Sequence, residues 1–198
     1  VSRGNLTATS NEKTYCDADV IIVDVHFDIQ FHEDSPFLDF KPFEKAISVL
    51  GKNAKQGALI IIETTVPPGT CSKVIRPLIL KELKERGLPT SSIHLAHSYE
   101  RVMPGNDYLN SILNYWRVFA ADDKISAQKC RDFLSAIINV GDYPLTELKS
   151  TISSETAKVM ENTYRAANIA FIDEWTKYAE VVGVDLFEVI DAIKVRPT

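Results

Sequence analysis

Residues 19–25 read Asp-Val-Ile-Ile-Val-Asp-Val, and this run decides the fold class. Its four central residues, Val20, Ile21, Ile22 and Val23, are all apolar and β-branched. A strand with one wet face would alternate with polar residues, so the run reads as a strand buried on both faces of a parallel sheet. The next such run is Ala-Leu-Ile-Ile-Ile at 58–62. Between them, residues 42–54 carry Phe43, Ala46, Ile47 and Leu50 at helical spacing, and Gly57 lies in the turn that follows. The result is a strand, helix, strand unit.

The alternation continues along the chain. A helix is expected over residues 72–86, closed by Gly87, then strands at 93–97 and 117–121 and a helix at 127–138. Residues 139–146, with Gly141 and Pro144, read as a short final strand and a turn. Such alternation predicts an α/β layered domain with right-handed crossovers. Residues 153–182 contain neither Gly nor Pro, which predicts one helix of about eight turns with Ser153 or Ser154 as its cap. Gly183 ends it, Asp185 caps a second helix at 186–194, and Pro197 stops that one. Residues 1–18 are polar, with at most one short strand near residues 6–9.

The 198 residues are 45% hydrophobic and 25% charged, the mix of an ordinary globular protein. A net charge of -5 with the two signs interspersed argues against a nucleic-acid partner, which normally meets a basic face. The apolar runs are far shorter than the roughly 20 residues of a membrane span, and no signal peptide is visible. Cys16, Cys71 and Cys130 are odd in number and widely spaced. They suit a reducing, cytoplasmic setting and read as thiols without a disulfide or zinc role. His94 and His97 fall three apart on a strand, on opposite faces, so no metal site is expected.

Three segments carry groups for chemistry. The stretch Glu63-Thr64-Thr65-Val66-Pro67-Pro68-Gly69-Thr70 leaves the C-terminal end of a strand, the edge at which open α/β sheets bind ligands. Taken alone, it reads equally as a stiffened turn whose threonines cap a helix. Ser98-Tyr99-Glu100-Arg101-Val102-Met103-Pro104-Gly105 lies at the same edge, where a carboxylate beside a guanidinium can orient a polar substrate or act as a base. Its bland alternative is an exposed loop ion pair. On the long helix, Lys158, Asn162 and Arg165 fall within an arc of about 60°. A Lys ammonium beside an Asn amide can stabilise charge developing on a substrate oxygen, or the stripe is simply a solvated face.

In their order and spacing these segments resemble the UDP-sugar and GDP-sugar 6-dehydrogenases, most of all the branch acting on UDP-N-acetylhexosamines. Residues 17–23 are similar to the family's Asp-Ala-Asp-Val strand, 63–70 to its Glu-Ser-Thr-Val-Pro-Pro-Gly-Thr turn, and 98–105 to Ser-Pro-Glu-Arg-Val-x-Pro-Gly. Residues 155–174 are similar to its long helix with a Lys-x-x-x-Asn pair. The resemblance implies that residues 1–150 form the C-terminal half of an NAD-binding, Rossmann-like domain with a partial parallel sheet. Residues 151–198 would be the long central helix and the start of a helical dimerisation domain.

The reaction it implies is a four-electron oxidation of a UDP-sugar C6 hydroxyl to a carboxylate, with two NAD reduced in turn and a cysteine holding a thioester. Thr65 would contact the nicotinamide and an ordered water, Glu100 would assist thioester hydrolysis, and Lys158 with Asn162 would stabilise the oxyanion. Arg101, Val102, Arg165 and Asn168 would contact substrate, and Val25 and His26 the cofactor. The Gly-x-Gly-x-x-Gly loop that cradles pyrophosphate occurs nowhere in the 198 residues, and the family's Gly-rich cysteine segment is expected beyond Thr198, so the chain reads as an interior fragment. Tyr99 replaces the common Pro, and Asp24, His26 and Phe27 replace Val-Pro-Thr-like residues. Other readings are a β-hydroxyacid or 6-phosphogluconate type dehydrogenase, which lacks these two loops, and a noncatalytic assembly module that dimerises through the long helix.

Overall fold

A computed structural model describes residues 4–25, 29–33, 35–102 and 105–195. Pro197 and His26 lie outside the described residues. The chain divides into two compact units, Val1–Lys158 and Val159–Thr198.

The first unit is built on a five-stranded sheet. β1 (Val20–Val23), β4 (Leu59–Ile62) and β5 (His94–His97) are parallel neighbours, with Val20 opposite Leu59 and Leu59 opposite His94. β6 (Val118–Ala121) then pairs with β5 antiparallel, His97 opposite Ala120, and the two-residue β7 (Thr146–Glu147) runs parallel to β6. The crossovers expected from the sequence are therefore interrupted between β5 and β6 and resume through α4 (Lys124–Ser135) to β7. With His97, the last residue of β5, opposite Ala120, β6 starts where β5 ends.

All four β4 residues are buried, as a central strand of unbroken aliphatic sequence requires. On one face Ile60, Ile62 and Leu95 meet α1 (Lys41–Asn53) and α2 (Arg76–Glu85) through Phe43, Ile47, Ile75 and Ile79. On the other, Ile61, Ala96 and Phe119 meet α4 (Lys124–Ser135) through Cys130 and Leu134. Each such side chain contributes about 1.5–3 kcal/mol on leaving water. α1 and α2 come closest at Gly51, where a Cβ would stand 2.8 Å from the Cβ of Glu82.

Several local expectations change. Residues 6–9 form no strand, and a 3-10 turn, Glu12–Cys16, precedes β1. A hairpin of β2 (Ile29–His32) and β3 (Ser35–Leu38) follows β1. A short helix α3, Tyr108–Leu113, lies in the β5 to β6 connection. α4 starts three residues earlier than its apolar pattern suggests, because Asp123 accepts the Ile125 and Ser126 amides as its cap. The final strand is only Thr146–Glu147, residues 139–145 being turns. α2 is entered through one π-type turn, Cys71–Ile75.

The long helix, α5 (Thr151–Val182), begins at Thr151, and Ser150, not Ser153 or Ser154, receives the Ser153 amide. Ser154 is buried and used elsewhere. The second unit holds the rest of α5 and α6 (Leu186–Lys194), joined at Gly183, whose φ of 76° suits glycine, with Asp185 capping α6 through the Phe187 amide. Its surface is unusually apolar: Tyr164, Ile169, Phe171, Val181 and Phe187 are all more than half exposed.

Candidate active site

The C-terminal ends of β1 and β4 are stitched together. The Glu63 and Thr64 amides both donate to the Val23 carbonyl, and the Thr64 hydroxyl reaches the carbonyls of Val23 at 3.1 Å and Val25 at 2.9 Å. This brings the Val25 loop alongside Thr65, which is itself exposed. The turn then closes on Gly69, whose φ of 94° favours glycine. Its cap comes from 84 to 86 residues away: the carboxylate of Glu155, fully buried in the second turn of α5, accepts the Gly69 amide and, at 2.7 Å, the Cys71 amide.

The adjacent turns of α5 hold the loop after β5. Ser154 Oγ lies 2.8 Å from His97 Nδ1. The Lys158 ammonium donates to the Glu100 carbonyl at 3.0 Å, and the Glu100 carboxylate accepts the Val102 amide. Burial, helped by Lys158, holds His97 well down, to about 4, so it is a neutral core imidazole. His94 binds Ser126, and among the described residues no group of acidic, His and Cys side chains could hold a metal ion. Arg101 donates from one end to the Trp116 carbonyl and from the other to the Tyr99 hydroxyl.

One further cation meets this edge. Arg117, at the start of β6, pairs with Glu63 at 3.2 Å, both side chains about nine-tenths buried. Burial dominates and pushes Glu63 up to about 7, opposed by Arg117 and assisted by Asp24 and Glu100. Asp24 is raised for the same first reason, with Glu100 adding to it. Three carboxylates and a guanidinium thus share the edge, one of the acids being able to change its proton near neutral pH.

Thr65 and Val25 are therefore brought together, as are Glu100, Val102 and Lys158. Asn162, Arg165 and Asn168 belong to the second unit and are exposed there, the Asn168 amide donating to the Tyr164 carbonyl one turn back. Arg117, Glu155 and the packing of Tyr99 went unread in the sequence. Arg117 looked like a strand's first residue, and the partners of Glu155 are too distant in sequence to signal it. Cys71 and Cys130 are buried with thiols pushed up, Cys130 to about 12, and Cys16 is exposed beside the 3-10 turn. Neither buried thiol is an activated nucleophile.

The stitched Val25 and Thr64 loops and the helix-borne Lys158 thus stand at the C-terminal ends of the parallel strands, where open α/β sheets bind ligands. The chain belongs to the UDP-glucose/GDP-mannose dehydrogenase family: residues 1–138 match its NAD binding domain and residues 152–198 its central domain. Over its whole length the chain is 33% identical to UDP-N-acetyl-D-mannosamine dehydrogenase of Methanocaldococcus jannaschii, spanning 42% of that protein. The solved UDP-N-acetyl-mannosamine dehydrogenase of Pyrococcus horikoshii superposes with a TM-score of 0.81 at 28% identity, covering 99% of this chain and 44% of that one. GDP-mannose dehydrogenase of Pseudomonas aeruginosa gives 0.83 at 22% identity over 98% and 43%. The chain thus spans less than half the length of these relatives.

The cofactor of the matched domain is NAD. The stitched Val25 and Thr65 loops supply backbone polar groups and an exposed hydroxyl at the ends of adjacent parallel strands, a donor and acceptor set that fits a carboxamide-bearing ring. Among the described residues no helix is long and apolar enough to cross a membrane.

Proposed function

We propose that the protein carrying this chain oxidises the C6 hydroxyl of a UDP-N-acetylhexosamine to the carboxylate, in two oxidations that each reduce one NAD. The observation that carries this reading is the hydrogen bond from Lys158 to Glu100, which unites the helix motif with the loop motif across 58 residues of sequence. When bound, NAD accepts hydride from the substrate carbon. Val25 and Thr65 hold its nicotinamide end. Lys158 and, one helical turn on, Asn162 stabilise the oxyanion, Glu100 assists hydrolysis of a thioester formed on a cysteine other than Cys16, Cys71 and Cys130, and Arg101, Val102, Arg165 and Asn168 contact the sugar nucleotide. The names of the relatives support the substrate class.

The test is to supply the full-length protein with NAD and UDP-N-acetylmannosamine and count NADH per sugar consumed. Two NADH per uronate support the reading; a ratio of one, or no NADH with any UDP-sugar, overturns it. The 198-residue chain alone should form no NADH, since the thioester cysteine of this reading is none of its three.

A homodimer through the second unit is the second part of the proposal. Its support is the row of exposed apolar side chains on α5 and α6, Tyr164, Ile169, Phe171, Val181 and Phe187 among them.

A further inference from the structure

Tyr99 is only 2% exposed, although it sits in a loop at the ligand edge between Ser98 and Glu100. Its ring is in contact range of two cations of that edge, Lys158 and Arg101. Lys158 Nζ lies 5.4 Å and Arg101 Cζ 5.3 Å from the ring centroid, and the Arg101 guanidinium also donates to the Tyr99 hydroxyl at 3.3 Å. The neutral His97 ring packs at 6.3 Å. A ring's negative face holds an ammonium or guanidinium that has lost part of its water, and does so without the charge of a carboxylate. That matters where Asp24, Glu63 and Glu100 already crowd one another. A carboxylate in place of Tyr99 would capture Lys158 outright, whereas a π face fixes its position and leaves its protons available.

We propose that Tyr99 is a positioning residue, an aromatic platform that sets where the Lys158 ammonium and the Arg101 guanidinium stand relative to bound substrate. It rests on the reading above in assigning Lys158 to oxyanion stabilisation and Arg101 to substrate contact. Two contacts then separate by chemistry. The hydroxyl serves Arg101; the ring serves both cations.

Variants of the full-length protein test this. Tyr99→Phe keeps the ring and should leave kcat within about twofold while raising KM for the UDP-sugar several-fold. Tyr99→Leu removes the ring and should lower kcat by about tenfold, the size of one cation–π contact. A purely structural role would lower thermal stability in both without separating KM from kcat, and that result overturns the proposal. Independently of turnover, Lys158 should react faster with an acetylating reagent in Tyr99→Leu than in wild type or Tyr99→Phe, read by mass spectrometry. Equal rates in all three overturn the proposal even if the enzyme oxidises no UDP-sugar, while faster acetylation in Tyr99→Leu alone sustains the platform if the substrate assignment fails. Should Tyr99→Leu not fold, Tyr99→Met carries the same comparison.

Discussion

Glu63 and Arg117, 54 residues apart, form a nearly buried ion pair that ties the turn after β4 to the first residue before β6. Neither is free to turn to water.

The first prediction concerns this pair. Replacing Arg117 by Met strands the Glu63 carboxylate, which should cost about 3 kcal/mol at pH 8. At pH 5, below the raised value of about 7, Glu63 is protonated and the loss should be much smaller. Urea denaturation at the two pH values checks it, and an equal penalty at both would show that the pair is unimportant. In the wild type, the raised pKa means that the contribution of Glu63 is fully present below about 4.5 and is lost as pH rises through about 7.

His97 should act in the opposite sense. Its folded value of about 4 lies below the ordinary imidazole value of 6.5, so its stabilising contribution is present above 6.5 and lost as pH falls toward 4. His97→Asn, which keeps a partner for Ser154, should flatten the acid side of the stability profile in that window. An unchanged slope between pH 6.5 and 4 would contradict the buried neutral assignment.

Removing the Glu155 carboxylate leaves two buried amides without an acceptor. Glu155→Ala should destabilise the first unit by about 2–3 kcal/mol and speed hydrogen exchange at Gly69 and Cys71 before exchange in β4 changes. Unaltered protection at those two amides would mean that the cap is dispensable.

At Gly51, an added methyl would meet both Cβ and Cγ of Glu82 at under 3 Å. Gly51→Ala should cost about 1–3 kcal/mol through the forced separation of α1 and α2, measured as a lowered denaturation midpoint. A stabilised variant, as helix propensity alone would give, would refute the close packing.

The surface of the second unit gives the last prediction. Analytical ultracentrifugation should find the protein dimeric, and Val181→Glu with Phe187→Glu should shift it to monomer, these being 87% and 78% exposed in the single chain. A monomer in the wild type would remove the dimer from the proposal.

Much of this was legible beforehand. The aliphatic runs at 20–23 and 59–62 and the long helix, read as 153–182, were readable because each is governed by its own sequence: unbroken aliphatic residues in one case, freedom from Gly and Pro in the other. The two loop motifs were readable from their order. What escaped depends on partners remote in sequence. The cap of the Gly69 turn comes from Glu155, the reversal of β6 is set by pairing with β5, and Arg117 gains its role only once that reversal brings it to Glu63. The β2–β3 hairpin was missed for a different reason, since Ile29, Phe31 and Phe37 stay exposed and Pro36 argues against a strand.

The reversal at β6 has a bearing on how such a protein can vary. Because β6 pairs antiparallel with β5, the connection between them needs no crossover helix. Residues can be added or removed there without rebuilding a layer on either face. Changes in ligand preference can therefore accumulate in this one stretch while the strands beneath, and the cores on both sides of them, keep their sequence.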